Sequence, residues 1–343
     1  MAEKNANVIA HNNRRRIGII LLFTLLLGIS VVLSIINGTT TLEFQNVVDI
    51  IRGNGDELII YQIIQNIRLP RILTGMLVGM NLAIAGALLQ GILRNPLAAP
   101  HIIGVNSGAA FMAVVVMVLA PHMINMLPLA AFLGALGATL LVYSLTYFGK
   151  GNVTTNIILG GVAISALLSA FTSAIMLIFS DELEVTYTWL LGSLSGRSWD
   201  YFFTILPYSA AGIVLAVLLS PKVNLFNLGD EVSRSLGLEV KLYRAFIIIT
   251  AAVLAGSAVS VSGTIGFIGL IAPHLSRMLV GNDYRFLVIL SSIIGALLLI
   301  TADLLARTVF QPVELPVGLF TAALGAPFFF YLIYRNKNKT VPD

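Results

Sequence analysis

The chain contains no cysteine, and only 10% of its 343 residues are charged. Without cysteine there is no disulfide framework, no thiolate nucleophile and no cysteine-ligated metal. Soluble domains carry about 25% charged residues. At 57% hydrophobic, this chain cannot clothe a water-facing surface, so the fold class is an all-α polytopic membrane protein. Histidine is sparse. His11, His101, His122 and His274 fall in no H-E-x-x-H or comparable spacing, which argues against a metal site. No G-x-x-x-x-G-K-[ST] loop occurs, since Gly149-Lys150-Gly151 lacks both the leading glycine and the hydroxyl, so the chain binds no ATP in that manner. A basic stripe and a recognition helix are also missing, which excludes nucleic acid as a partner. Carboxylates within the apolar runs are nearly absent; Asp303 and Glu314 alone approach the bilayer, both near its outer edge. Ion-coupled carriers generally need ionisable groups or broken helices at midplane.

What is present is a succession of long apolar runs. At about 20 residues per crossing, ten transmembrane helices are expected near residues 17–36, 72–93, 103–120, 128–148, 157–179, 201–220, 245–262, 264–280, 286–306 and 317–334. The eighth is expected to be interrupted at Pro273-His274. The first is preceded by Arg14, Arg15 and Arg16 but followed by no small-residue cleavage site, so it reads as a retained helix and not a signal peptide. The expected organisation is a polar head at 1–16, one transmembrane domain at 17–334 and a polar tail at 335–343.

Charge bias sets the orientation. With the N-terminus cytoplasmic, fifteen of the twenty cations lie inside, and so do both termini and the loop at 221–244. The five outside are all arginine: Arg52, Arg68, Arg71, Arg197 and Arg307. Arginine grips carboxylates through a planar fork, whereas lysine is a point charge. For Arg52, beside Asp56, and for Arg197, local pairing is the simpler reading. Arg68 and Arg71 instead flank Pro70 in R-L-P-R, at i, i+3 spacing broken by the proline, at one outer membrane edge. Arg307 follows Asp303 at i+4, the favourable order for a helical pair. These three could bridge internally, receive an acidic partner, or do both.

The longest polar interruption is PKVNLFNLGDEVSRSLGLEVKLYR, residues 221–244. Leu228, Val232 and Leu236 recur at i, i+4, i+8, one apolar stripe on a short helix. Asn227 suits its cap, Asp230 and Glu231 its positive end, and Gly237 its C′ position. A second helical piece is expected over 238–243. The stripe is too short to span a bilayer; it either packs within the chain or meets a separate soluble protein. Two further inner links stand out. Arg94-Asn95-Pro96-Leu97-Ala98-Ala99-Pro100 is expected as an extended link clamped by two prolines, with Asn95 and Leu97 near the inner mouth. Asn152-Val153-Thr154-Thr155-Asn156 joins the fourth and fifth spans. Both lie where the inner gate of a pore would close, or serve only as polar turns.

Six stretches taken together resemble the FecCD-type permease family, membrane subunits of ABC importers for iron–siderophores, haem and cobalamin. They are RLPRILTGMLVGMNLAIAGALLQGILRNPLAAPHIIGVNSGA (68–109), TWLLGS (188–193), LGDEVSRSLGLEVKLYR (228–244), GTIGFIGLIAPHLSRMLVGNDYRFL (263–287), ADLLAR (302–307) and ELPVGLFTAALGAPFFFYLI (314–333). The resemblance runs in order over nearly the whole chain. It implies the type II importer architecture of ten helices in two inverted-topology halves, spans two to five against seven to ten, echoed in the sequence by Pro100-His101 and Pro273-His274. It implies a second permease subunit, identical or paralogous, two cytoplasmic ABC ATPases that bind ATP and Mg, an extracytoplasmic binding protein and a ferric siderophore as cargo. Residues carried over by position are Leu228, Gly229, Val232, Leu236, Gly237 and Arg244 for ATPase coupling. Arg68, Arg71 and Arg307 correspond to binding-protein docking, and Asn95, Leu97, Thr154 and Thr155 to the inner gate. The expected function is a non-catalytic permease of a bacterial inner membrane, holding no cofactor or metal of its own. An ion-driven secondary carrier is the alternative.

Overall fold

The computed structural model describes residues 2–38, 58–148, 153–179 and 183–337. The Arg52–Asp56 pair, Gly149-Lys150-Gly151, Asn152 and the end of the tail lie outside the described residues. Among the described residues twelve helices follow one another: α1 (Ala2–Ile36), α2 (Ile59–Ile92), α3 (Val105–Leu119), α4 (Leu127–Phe148), α5 (Val153–Ile178), α6 (Leu183–Leu191), α7 (Trp199–Phe226), α8 (Asp230–Ser235), α9 (Val240–Ser262), α10 (Ile268–Val280), α11 (Tyr284–Thr308) and α12 (Val317–Lys337). Among the described residues, seven are long and apolar enough to cross a membrane: α1, α2, α4, α5, α7, α9 and α11. The shorter apolar helices α3, α10 and α12 complete the ten expected crossings. No strand occurs among the described residues. The polar head is part of α1 and continues the first crossing as one helix.

The centre of the bundle is α2, which packs against α7, α9, α10 and α11. Its glycines permit this. A Cβ on Gly79 would overlap the carbonyl oxygen of Gly295 on α11, and one on Gly86 the carbonyl oxygen of Gly269 on α10. In lipid, helices gain little from apolar burial against each other, so close backbone approach and dispersion supply the packing. A polar tie crosses the same core: Asn81, fully buried, donates to Ser209 at 2.7 Å and to Ser257 at 3.1 Å.

The two halves repeat one pattern of contact. Helices α3, α4 and α5 pack mutually, as do α10, α11 and α12. Each half lends its leading helix to the other, α2 onto α11 and α9 onto α4. Both short helices begin at a left-handed residue, Gly104 (φ 82°) before α3 and Phe267 (φ 66°) before α10. Those positions, not the two Pro-His pairs, mark the repeat. Pro100 opens a 3-10 turn ahead of α3, whereas Pro273 sits inside α10.

Four local expectations change. Pro273 does not interrupt the eighth crossing, which is continuous over Ile268–Val280; the carbonyl deprived of its partner is that of Gly269, and Gln90 Nε2 approaches it at 3.5 Å. The break lies ahead of the helix, at 263–267. Pro70 does not separate Arg68 from Arg71, because the helix runs on through it, a π-helical turn over Ile63–Arg68 leading directly into the α-helical segment Leu69–Ile92. Residues 240–243 are the first turn of α9 and not a separate piece. Asn227 terminates α7 and does not cap α8, which starts after Gly229 (φ 99°, ψ 157°), a conformation open to glycine alone.

Candidate functional site

The loop at 221–244 folds as a rigid shelf at one end of the bundle. Helix α8 closes with a Schellman motif: Leu238 N–H donates to Ser233 O at 3.0 Å and Gly237 N–H to Arg234 O at 2.9 Å, with Gly237 at φ 84°. Side chains then lock it to the helices on either side. Ser233 Oγ donates to the last turn of α7 at Leu225 O, 2.7 Å, and lies 2.6 Å from Gly229 O. Arg244 on α9 donates through Nη2 to both Asp230 oxygens at 2.7 Å, and its guanidinium lies 5.3 Å from the Phe226 ring centroid. Arg244 is 5% exposed. Desolvated charge-assisted bonds of this kind are the strong ones.

Held this way, α8 turns its apolar side outward. Leu228, Val232 and Leu236 are 56%, 45% and 58% exposed, with the charged Glu231 and Arg234 beside them. Among the described residues nothing buries this stripe. A cleft of about 480 Å³ lies against this shelf, lined by Arg94, Val153, Leu228 and Gly229–Val232 among others. Arg94 Nη2 reaches to 4.0 Å from Asp230, so the α2–α3 link touches α8 directly. That link is not extended. Asn95 N–H bonds Gln90 O at 3.2 Å, Ala98 N–H bonds Asn95 O at 3.0 Å, and Asn95 Oδ1 accepts from Leu97 N–H at 2.9 Å. These bonds fold residues 94–98 into tight turns, with Arg94 itself at φ 47° and Leu97 56% exposed. Val153, which also lines the cleft, immediately precedes the half-buried Thr154 and the exposed Thr155.

The opposite end carries the arginines. Arg71 is 6% exposed and donates to Asp303 from Nε at 3.1 Å and from Nη2 at 2.9 Å, and to Glu314 from Nη1 at 2.8 Å. Arg307 Nε lies 3.3 Å from the same Asp303, and its Nη2 donates to Ser34 Oγ at 3.0 Å. Arg68 donates to the carbonyls of Ile35 and of Ile36, the latter at 2.9 Å. Ends of α1, α2 and α11 and the 309–316 segment are thereby tied together. The Asp303–Arg307 pair was visible in the sequence; the Arg71–Asp303 and Arg71–Glu314 pairs, 232 and 243 residues apart, were not. Burial raises the Glu314 pKa, but the Arg71 guanidinium outweighs it and holds the carboxyl below its ordinary value. Arg197 stacks on Tyr201 at 4.6 Å, the local pairing expected of it. Among the described residues no group of three metal-ligating side chains occurs.

Residues 25–335 match the model of the FecCD transport family. The chain belongs to this family. It is 39% identical over 320 residues to the Fe(3+)-citrate import system permease protein YfmD of Bacillus subtilis, covering 93% of each chain. It is 39% identical over 280 residues to the hemin transport system permease protein HmuU of Yersinia pestis, covering 80% of this chain and 84% of that one. A solved chain, described as an inward-facing conformation of a candidate metal-chelate type ABC transporter, superposes with a TM-score of 0.84 at 33% identity over 93% of this FecCD member and 99% of that chain. This FecCD member is thus a multi-pass transport permease with the type II importer fold.

Proposed function

We propose that this permease forms the translocation pathway for an iron chelate, a ferric siderophore or ferric citrate, and is driven by two cytoplasmic ABC ATPases docked on the 228–244 shelf. The observation that carries this reading is the exposed Leu228–Val232–Leu236 stripe on a helix bolted to α7 and α9. An apolar stripe at the water-facing end of a membrane bundle needs a protein partner, and the rigid mount lets that partner's movement reach the membrane helices. ATP and Mg belong to those partners, and this chain performs no hydrolysis. The shelf end faces the cytoplasm together with both termini, following the positive-inside bias. A second permease, identical or paralogous, completes the pathway, and residues 17–334 act as one transmembrane domain.

Inward movement of the shelf acts on the 94–98 turns through Arg94 and on the start of α5 across the cleft, so Asn95, Leu97, Thr154 and Thr155 form the inner gate. At the far end an extracytoplasmic binding protein docks. Within the cluster itself the guanidinium groups of Arg68, Arg71, Arg197 and Arg307 outnumber the carboxylates of Asp303 and Glu314, and this local surplus supports docking of an acidic surface. The related ferric-citrate and hemin permeases support an iron-containing cargo. The test is uptake of radioactive ferric citrate and of a ferric hydroxamate into proteoliposomes holding this chain with its cognate ATPase and binding protein. Uptake that requires ATP and collapses on omission of the ATPase is expected; uptake by the permease alone overturns the reading.

A further inference from the structure

A second cavity, of about 360 Å³, opens at the shelf end between the ends of α2, α7 and α10 and the start of α11. Its lining includes Arg94, Asn95, Asn227, Arg277, Asn282 and Tyr284, and no carboxylate. What distinguishes it is unspent donors. Arg277 Nη2 donates to Gln90 Oε1 at 3.1 Å and to Tyr284 Oη at 3.2 Å, while its Nη1 is buried with no partner. The Tyr284 hydroxyl accepts that bond, so its own proton remains available. Asn95 spends its Oδ1 on Leu97 N–H and leaves its amide NH₂ free, and the side chains of Asn227 and Asn282 make no hydrogen bond among the described residues. The nearest acids lie outside the lining: Asp230 is bonded to Arg244 and stands 4.0 Å from Arg94, and Asp283 is bonded to Asn224 and the Arg285 N–H.

A buried guanidinium nitrogen left without an acceptor costs the desolvation it cannot recover. Two arginines, three amides and one phenol around one cavity offer donors and no acceptor charge, which is the complement of an oxyanion. We propose that this cavity binds a phosphate or carboxylate group, with the half-buried Arg277 as its inner anchor and Arg94 at its open side. Because Arg94 also faces Asp230, an anion here competes for the side chain that joins the α2–α3 link to α8, and its occupancy tunes that contact. The site follows from the fold and its donors, and does not depend on which chelate is transported.

Two sources could supply the oxyanion, a soluble phosphate or a lipid headgroup, and the test separates them. The full chain is reconstituted in nanodiscs of phosphatidylcholine alone or with phosphatidylglycerol, in phosphate-free buffer, and its thermal unfolding midpoint is followed against inorganic phosphate. The comparison variant is Asn282→Asp, which places a carboxylate in the cavity without removing any contact that holds Arg277. A saturable rise in midpoint with phosphate in phosphatidylcholine, with apparent Kd raised at least about tenfold in Asn282→Asp, supports a soluble oxyanion. A rise only with phosphatidylglycerol, lost in Asn282→Asp, supports the headgroup. No rise under either condition, or an equal rise in wild type and Asn282→Asp, overturns the proposal.

Discussion

Asp230 and Arg244, fourteen residues apart, meet through two hydrogen bonds of 2.7 Å and so close the shelf between α7 and α9. The carboxylate begins α8 and the guanidinium lies in the first turns of α9, which makes this pair the firmest connection between the exposed stripe and the membrane helices. Asp230→Asn leaves a 5%-exposed Arg244 without its counter-charge. A loss of about 2 kcal/mol is expected, read as a lowered unfolding midpoint together with weakened stimulation of ATP hydrolysis by loaded binding protein. The exchange Asp230→Arg with Arg244→Asp should recover part of both; recovery of neither would show that the pair is not what transmits the movement.

Leu236 is 58% exposed, so Leu236→Asp should change the stability of the isolated chain by no more than about 0.5 kcal/mol. Its effect is expected on the partner. Co-purification of the ATPase falls and transport is lost while membrane abundance stays level. Retained substrate-stimulated hydrolysis in proteoliposomes would remove the stripe from the coupling surface.

Asp303 is 3% exposed and faces both Arg71 and Arg307. Asp303→Asn leaves two buried cations short of a counter-charge, and about 3–5 kcal/mol of destabilisation is expected. Membrane abundance and unfolding midpoint should both drop, in contrast to Leu236→Asp. Docking is tested separately, by charge reversal at Arg68. Arg68 is only 4% exposed, so reversal should itself lower abundance, and binding is compared at matched membrane abundance. Weaker association with the binding protein then supports docking, whereas unchanged affinity leaves the cluster a purely internal tie.

The Arg71–Glu314 pair gives stability a pH dependence with a defined sign. Because the folded Glu314 carboxyl lies below its ordinary value, the pair's contribution is fully present above the unfolded carboxylate value of about 4.3 and fades as pH falls through the lower folded value. Wild type and Glu314→Gln should therefore differ in unfolding midpoint at pH 7 and converge under strong acid. A constant difference across that range would assign the effect to packing instead.

Helix count, approximate boundaries, the positive-inside asymmetry and the apolar stripe of α8 all follow from the sequence, because each depends on neighbours within a few residues or on the length of an apolar run. Gly237 could be placed at its left-handed C′ position for the same reason, as could the Asp303–Arg307 pair one helical turn apart. Tertiary structure alone decided which way Leu228, Val232 and Leu236 face, since that depends on Ser233 reaching Leu225 and on Arg244 reaching Asp230. It alone brought Arg71 to Asp303 and Glu314, and Arg94 and Arg277 to one cavity. In a bilayer every apolar helix face suits lipid equally well, so hydropathy marks the crossings but not their neighbours. Those are selected by close backbone approach, as at Gly79 against Gly295, and by polar groups that must find partners far away in the chain.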